Sequence, residues 1–343
     1  MSEALSPEST ASEYTIRRFC CDDAAGVTRL VETVYGDTYY PRELYTPEQV
    51  VHLNETEKLV SVVTLNSVGQ VIGHYALERP DLGAVAEASD AIVAMGYRHH
   101  HLFEQMRPLL REEAIRLGLT GLVGYPVTNH LFSQKAEEHF GSHPCGVALG
   151  LWPRSFHNMP DALPQRMSFV IYFDYLGAAS HAVHVATRHS EMVQRIYQQY
   201  GISHALSDGA PAVGTGEIVV EHEPEVQTGT IRVRRAGVDT AGAVRQARDK
   251  LCDGYGAKAV TLELPLAQTA TAELCRAAEG DGFFFSGLGP AFAGDGDALL
   301  MQFLTEDLDL SLIQIDNPFA KNLLSYVGHE RERVQKARRP KIT

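Results

Sequence analysis

The chain has no apolar run approaching the roughly 20 residues of a membrane span, no Cys-x-x-Cys pair, and no basic stripe interleaved with aromatic residues. The first absence excludes a helical membrane protein. Met1 to Glu13 is polar and carries no apolar signal core, so a cytoplasmic location is expected. The five cysteines, Cys20, Cys21, Cys145, Cys252 and Cys275, are odd in number, and adjacent Cys20 and Cys21 could bridge only with strain. Reduced thiols are the expectation. Positive charge is also short, with Lys plus Arg at 30 against Asp plus Glu at 43, a formal charge of −13. Such a surface repels a phosphate backbone, which excludes nucleic acid as a partner. An anionic ligand must then be held locally, by backbone N–H groups and one or two cations.

What is present is an ordinary globular composition, 44% hydrophobic and 21% charged over 343 residues, more than one core usually covers. Two domains are expected, 1–175 and 176–343. Residues 14–19 alternate like a strand, and Asp22 to Tyr35 has helical spacing with Asp22 or Asp23 as N-cap. A tyrosine-rich loop holds Tyr35, Tyr39, Tyr40 and Tyr45. Strands are expected at Leu59–Leu65 and Val71–Leu77, joined by a turn at Ser67 to Gln70, and at Val85–Met95. Leu102 to Leu117 reads as an amphipathic helix stopped by Gly118. A strand at Gly121–Thr128, a helix at Leu131–Phe140 and strands at Val147–Leu151 and Met167–Phe173 follow. Between the last two, Phe156 to Gln165 would return the chain to the sheet. His189 to Tyr200 is helical, and Ser207 to Gly216 is the segment expected to be most flexible.

The second half repeats part of the first. Residues 121–128 (GLVGYPVT), a helix and 146–153 (GVALGLWP) parallel 259–266 (AVTLELPL), a helix and 283–290 (FFFSGLGP). Both run strand, proline, helix, then a strand closing on Gly-x-x-Pro. This suggests tandem copies of one architecture.

The most telling stretch is AEASDAIVAMGYRHHHLFEQMRPLLREEAIRLG, residues 86–118. Together with the element order over about 14–175, it resembles the GNAT superfamily of acyl-CoA N-acyltransferases. The resemblance implies an α/β (α+β) fold of two GNAT-like domains, the second degenerate. Each would be a mixed, mostly antiparallel sheet flanked by helices. In that family a strand runs into Arg/Gln-x-x-Gly-x-Gly/Ala, and amides at the start of the next helix hold the CoA pyrophosphate. Arg98 sits where the motif has its Arg or Gln, His101 at the first glycine, and Phe103 at the Gly/Ala position. Glycine serves there because no side chain intrudes. A histidine adds bulk, and when protonated a cationic donor. By resemblance the CoA site comprises Ala94, Met95, Arg98, His99, His100, His101, Leu102 and Phe103. Asn129 and Ser133, in TNHLFSQKAEEHFG (residues 128–141), would lie along the pantetheine arm.

For His99, His100 and His101 three readings stay open: a phosphate loop helped by imidazoles, a degenerate loop binding no CoA, or a metal site. Consecutive histidines cannot easily all face one ion, so no metal is expected. By resemblance Glu87 would be the general base that strips the substrate amine. Strand alternation would point Asp90 to the opposite face. The family's usual tyrosine acid is missing from residues 128–141, which leaves His139, Tyr125 and Cys145 as substitutes, with His139 the chosen candidate. Cys145 has no evident base partner. His181, His184 and His189 read as surface residues.

The expected activity is acyl transfer, from acetyl-CoA or another acyl-CoA as co-substrate, to a small-molecule amine by direct attack. A homodimer stays open. The alternative is a non-catalytic acyl-CoA or metabolite-binding regulator of the same fold.

Overall fold

The computed structural model describes residues 14–154, 163–177 and 182–338. The return segment expected at Phe156–Gln165 lies outside them except for its last three positions, and so does His181. The chain divides into two units, Met1–Asp81 with Ala88–Glu113, and Leu82–Glu87 with Ala114–Thr343.

The first unit holds β1 (Tyr14–Arg18), α1 (Ala24–Tyr35), α2 (Pro47–Glu55), β2 (Leu59–Asn66) and β3 (Val71–Glu78). To these it adds most of β4 (Val85–Val93) and of α3 (Leu102–Arg116). β1 pairs antiparallel with β2, β2 antiparallel with β3, and β4 follows at the edge of β3. The hairpin turn falls where the sequence places it: Gly69, at φ 78, donates its N–H to the Asn66 carbonyl. In α1, Val27, Leu30, Val31 and Val34 make one apolar stripe that packs on Leu59, Val63, Ala76 and Ile92. Asp23 caps the turn before α1: its carboxylate accepts the Cys20 N–H at 2.8 Å and two bonds from Arg17 at 2.7 and 2.8 Å. β4 ends at Val93, two residues short of expectation, because Met95 to His100 coils into a 3-10 turn.

In the second unit β5 (Gly121–Gly124) pairs in parallel with Val85, Ala86 and Glu87, the first residues of β4. Then come α4 (Phe132–His139), β6 (His143–Trp152), β7 (Met167–Tyr175), β8 (Val183–His184), α5 (Thr187–Gln199), β9 (Leu206–Ser207) and β10 (Glu217–Glu223). β11 (Thr228–Arg235), α6 (Thr240–Asp249), β12 (Ala259–Pro265), α7 (Thr271–Gly280), β13 (Phe284–Ala293), β14 (Gly296–Leu304) and α8 (Pro318–Arg338) complete it. β5 stops four residues before the expected Thr128, since Pro126 has no N–H for a ladder. Thr128 makes a separate bond to the Ser168 carbonyl instead.

The strand order β4-β5-β7-β6, one parallel pair followed by two antiparallel ones, recurs as β11-β12-β14-β13 with the same senses. β6 and β13 meet at Gly146 and Gly287. One core, from Val123 through Val147, Leu262, Phe285 and Leu299 to Val327, runs through the unit. The fold is thus mixed α/β with a mostly antiparallel sheet flanked by helices.

The segment expected to be most flexible is instead tied down. Ala210 donates to the Thr269 carbonyl, Ala212 to Glu273 and Gly216 to Asp239. No helix among the described residues is long and apolar enough to cross a membrane.

Candidate functional site

In the first unit β4 carries one residue with irregular backbone. Asp90 adopts φ 54, the left-handed region that Asp tolerates better than most residues. Asp90 and Ile92 are buried while Ala91 between them is exposed, so the strand still alternates around this residue. A buried relay fixes this kink. The Asp90 carbonyl lies 3.1 Å from His74 Nδ1, and His74 Nε2 lies 2.9 Å from Ser61 Oγ. A carbonyl only accepts, so Nδ1 carries the proton and Ser61 donates to Nε2. Asn54 braces Ser61 through the Ser61 N–H at 2.9 Å. Burial holds His74 down to about 4, so the ring is neutral.

The Asp90 side chain, only 6% exposed, accepts from the Tyr39 hydroxyl at 2.8 Å through Oδ1. Oδ2 is buried with no hydrogen-bond partner among the described residues. Burial pushes this carboxyl well above the usual carboxylate range, the Glu78 charge adds to the rise, and the Tyr39 bond works against it. Tyr39 stacks on Tyr35 with ring centroids 4.4 Å apart, and its N–H donates to the Tyr45 hydroxyl at 2.9 Å. Three of the four loop tyrosines are thereby gathered around Asp90.

Ala94 to Phe103 follow directly. Met95, Arg98, His99, His100 and His101 are exposed, whereas Leu102 is buried and the Phe103 ring packs on Tyr75 at 4.7 Å. These last two anchor the start of α3. His101 sits at φ 54 and ψ 30, in the left-handed conformation for which glycine is the usual residue. Its imidazole is drawn to Glu104, Nδ1 to Oε2 at 3.0 Å, and His100 Nδ1 lies 3.0 Å from the Tyr14 hydroxyl. Arg98 Nε reaches back to the Val93 carbonyl at 3.4 Å. The exposed Arg98 guanidinium, a left-handed turn and a helix N-terminus together suit an anion such as a diphosphate. The Glu104 carboxylate in the first turn opposes one.

The remaining candidates belong to the second unit. Glu87 is half-buried, and its charge, after burial, raises the Tyr125 hydroxyl well above its ordinary range. Asn129 is buried, and Ser133 Oγ is buried on α4. His139 is exposed at the end of α4, edge-on to Phe140. Cys145 is fully buried and burial pushes its thiol up to about 12, so it keeps its proton and serves neither as nucleophile nor as ready acid. His189 is also buried, not on the surface as expected: its ring sits between the Tyr326 hydroxyl at 2.8 Å and Glu279 at 3.1 Å. His189, Cys275 and Glu279 draw together, but Arg333 also pairs with Glu279 and opposes a metal ion there.

Asp90, Tyr39 and His74 are what the sequence reading missed as a group. The only local signal was an aspartate in the middle of a strand-like run, and its partners lie far away along the chain.

No family model matches this chain, and no curated protein does. Among solved structures it is similar to a GCN5-related N-acetyltransferase from Kribbella flavida. That match has 22% identity and a TM-score of 0.38, over 48% of this chain and 98% of that one. YncA from Salmonella typhimurium, solved with its cofactor acetyl-CoA, has 14% identity and a TM-score of 0.40, over 49% and 97%. The ribosomal-protein-S5-alanine acetyltransferase of Vibrio fischeri has 11% identity and a TM-score of 0.38, over 48% and 94%.

Proposed function

We propose that this chain transfers an acyl group from an acyl-CoA thioester to a small-molecule amine. The supporting observation is the turn between Arg98 and Phe103. His101 takes the left-handed conformation at the position where the Arg-x-x-Gly-x-Gly/Ala pattern has its first glycine, and it leads into the first turn of α3. In this reading that turn and the Arg98 guanidinium hold the CoA diphosphate. The imidazoles of His100 and His101 are engaged by Tyr14 and Glu104 and do not crowd it.

Asp90 precedes the loop on the same strand and supplies the proton acceptor. An amine must be neutral to attack a thioester, and a carboxyl whose proton affinity is raised by burial takes its proton well. Tyr39 positions that carboxyl. Glu87, from the second unit, is the rival for this role. The repeated strand order of the second unit supports two copies of one architecture, the later copy without the full Arg-x-x-Gly-x-Gly/Ala motif. A second reading, a non-catalytic acyl-CoA binder, draws support from Glu104, whose charge weakens the anion site.

Thermal shift with acetyl-CoA and thiol release with an amine panel test both readings. Transfer predicts a higher melting temperature by mass action and amine-dependent thiol release. Arg98→Ala should lose the shift, and Asp90→Asn should lose release while keeping the shift. A shift without release on any amine favours the binder. No shift at all overturns both.

A further inference from the structure

Within the second unit the parallel ladder of β11 and β12 ends at Arg232 and Glu263, although β11 continues to Arg235 and β12 to Pro265. Beyond that point a cavity of about 170 Å³ opens against the β13–β14 hairpin, lined among others by Arg232, Arg234, Glu263, Phe292 and Asp295. The carboxyl ends of parallel strands are where open sheets offer ligands a crevice.

The cavity is built, not a chance gap. Glu263 is buried, and Arg232 donates to it from Nε at 3.0 Å while its Nη1 reaches Glu221 at 2.6 Å. The rim is braced by Gln268. Its amide nitrogen donates to both the Arg234 carbonyl and Asp295 Oδ2, each at 3.0 Å, and its oxygen accepts the Ala236 N–H at 2.8 Å. The end of β11 and the hairpin tip are thereby held at a fixed spacing. The hairpin is itself bent toward this shape: Ala291 sits at φ 56, held by its N–H to Asp297 Oδ1 at 2.8 Å. Strain in a non-glycine residue beside a cavity is a mark of a shaped site.

The lining carries both signs of charge and an aromatic wall. We infer that this cavity binds a small α-amino acid as its zwitterion, the carboxylate toward Arg234, the ammonium toward Glu263 and Asp295, and the side chain along Phe292. Burial pushes Glu263 up to about 7 even with Arg232 against it, and an ammonium beside it would favour its charged form. Size limits the ligand. An engineered cavity of about 150 Å³ accepts benzene, so this one suits glycine to valine and rejects tryptophan. The inference does not rest on acyl transfer, because binding here needs no acyl donor.

Calorimetric titration of the full chain with L-alanine and L-valine tests it, with propionate, alanine methyl ester and tryptophan as controls. The expected result is one saturable site per chain for the two amino acids, with each control at least tenfold weaker. Arg234→Ala and Asp295→Asn change exposed side chains, should fold as the parent does, and should each weaken binding at least tenfold. Absence of saturation by either amino acid up to about 10 mM, the weak end of specific binding, would overturn the proposal. So would propionate or the ester binding as well as the amino acid, or unchanged affinity in both variants.

Discussion

The Tyr39 hydroxyl donates to Asp90 Oδ1 at 2.8 Å, joining the loop after α1 to the middle of β4 across 51 positions of sequence. The bond fixes one oxygen of a buried carboxyl and leaves the other facing the interior. Asp90 has a folded pKa above its ordinary 3.8, so it binds its proton more tightly in the fold than in the unfolded chain. Its stabilising contribution is greatest in acid and is lost as pH rises from about 4 toward the folded value. Asp90→Asn keeps an acceptor for Tyr39 and tolerates the left-handed backbone. It should unfold at the same temperature as the parent at pH 4 and at a higher temperature than the parent at pH 8. Acyl transfer should fall at least about a hundredfold, with Glu87→Gln far milder. Parallel pH curves for parent and variant would remove Asp90 from the site.

His74 gives a prediction of opposite sign. Its folded value, about 4, lies below the ordinary 6.5. The unfolded chain therefore gains the proton first, and stability falls as pH drops from 6.5 through 4, by on the order of 3 kcal/mol. Comparing denaturant midpoints of the parent and His74→Asn across that window isolates the term. The difference between them should shrink as the solution becomes more acidic.

The start of α3 pairs His101 with Glu104 at 3.0 Å on the surface. The pair itself contributes little to stability, but the Glu104 charge sits where an anion would bind. Glu104→Gln should tighten acetyl-CoA binding about twofold to fivefold, and the gain should fade in high salt. His101→Gly relieves a left-handed conformation that costs about 1–2 kcal/mol and should not weaken CoA binding. His101→Val, branched at Cβ, should destabilise by more than about 2 kcal/mol. Equilibrium unfolding and CoA titration of the three variants check this.

Where β6 meets β13, Gly287 lies at φ 148, and a Cβ there would press into the backbone of Gly146 and Cys145. Neither backbone can step aside without breaking its ladder. Gly287→Ala should cost about 3 kcal/mol or more, whereas Gly242→Ala, in open space on α6, should be neutral or mildly stabilising. Denaturant unfolding separates the two.

Much of the architecture was legible because its causes are local. The stripe Val27, Leu30, Val31, Val34 marks α1, Gly69 marks the β2–β3 turn, and Gly118, at φ 68, ends α3 where expected. Some boundaries slipped for reasons that are also local. Pro126 cut β5 short, and Met95 to His100 coiled away from β4. Just before α3, His101 takes a left-handed backbone at φ 54 and ψ 30, which no local pattern of apolar residues announces.

What the sequence alone determined is therefore the periodic elements, the turns and the position of one helix start, since side-chain spacing and backbone sterics act within a few residues. Tertiary structure alone decided that Asp90 would face Tyr39 and His74, and that Arg234, Glu263 and Asp295 would share one cavity. Those relationships depend on strand register and on a left-handed kink inside β4. Both are settled by long-range packing, which no local pattern encodes.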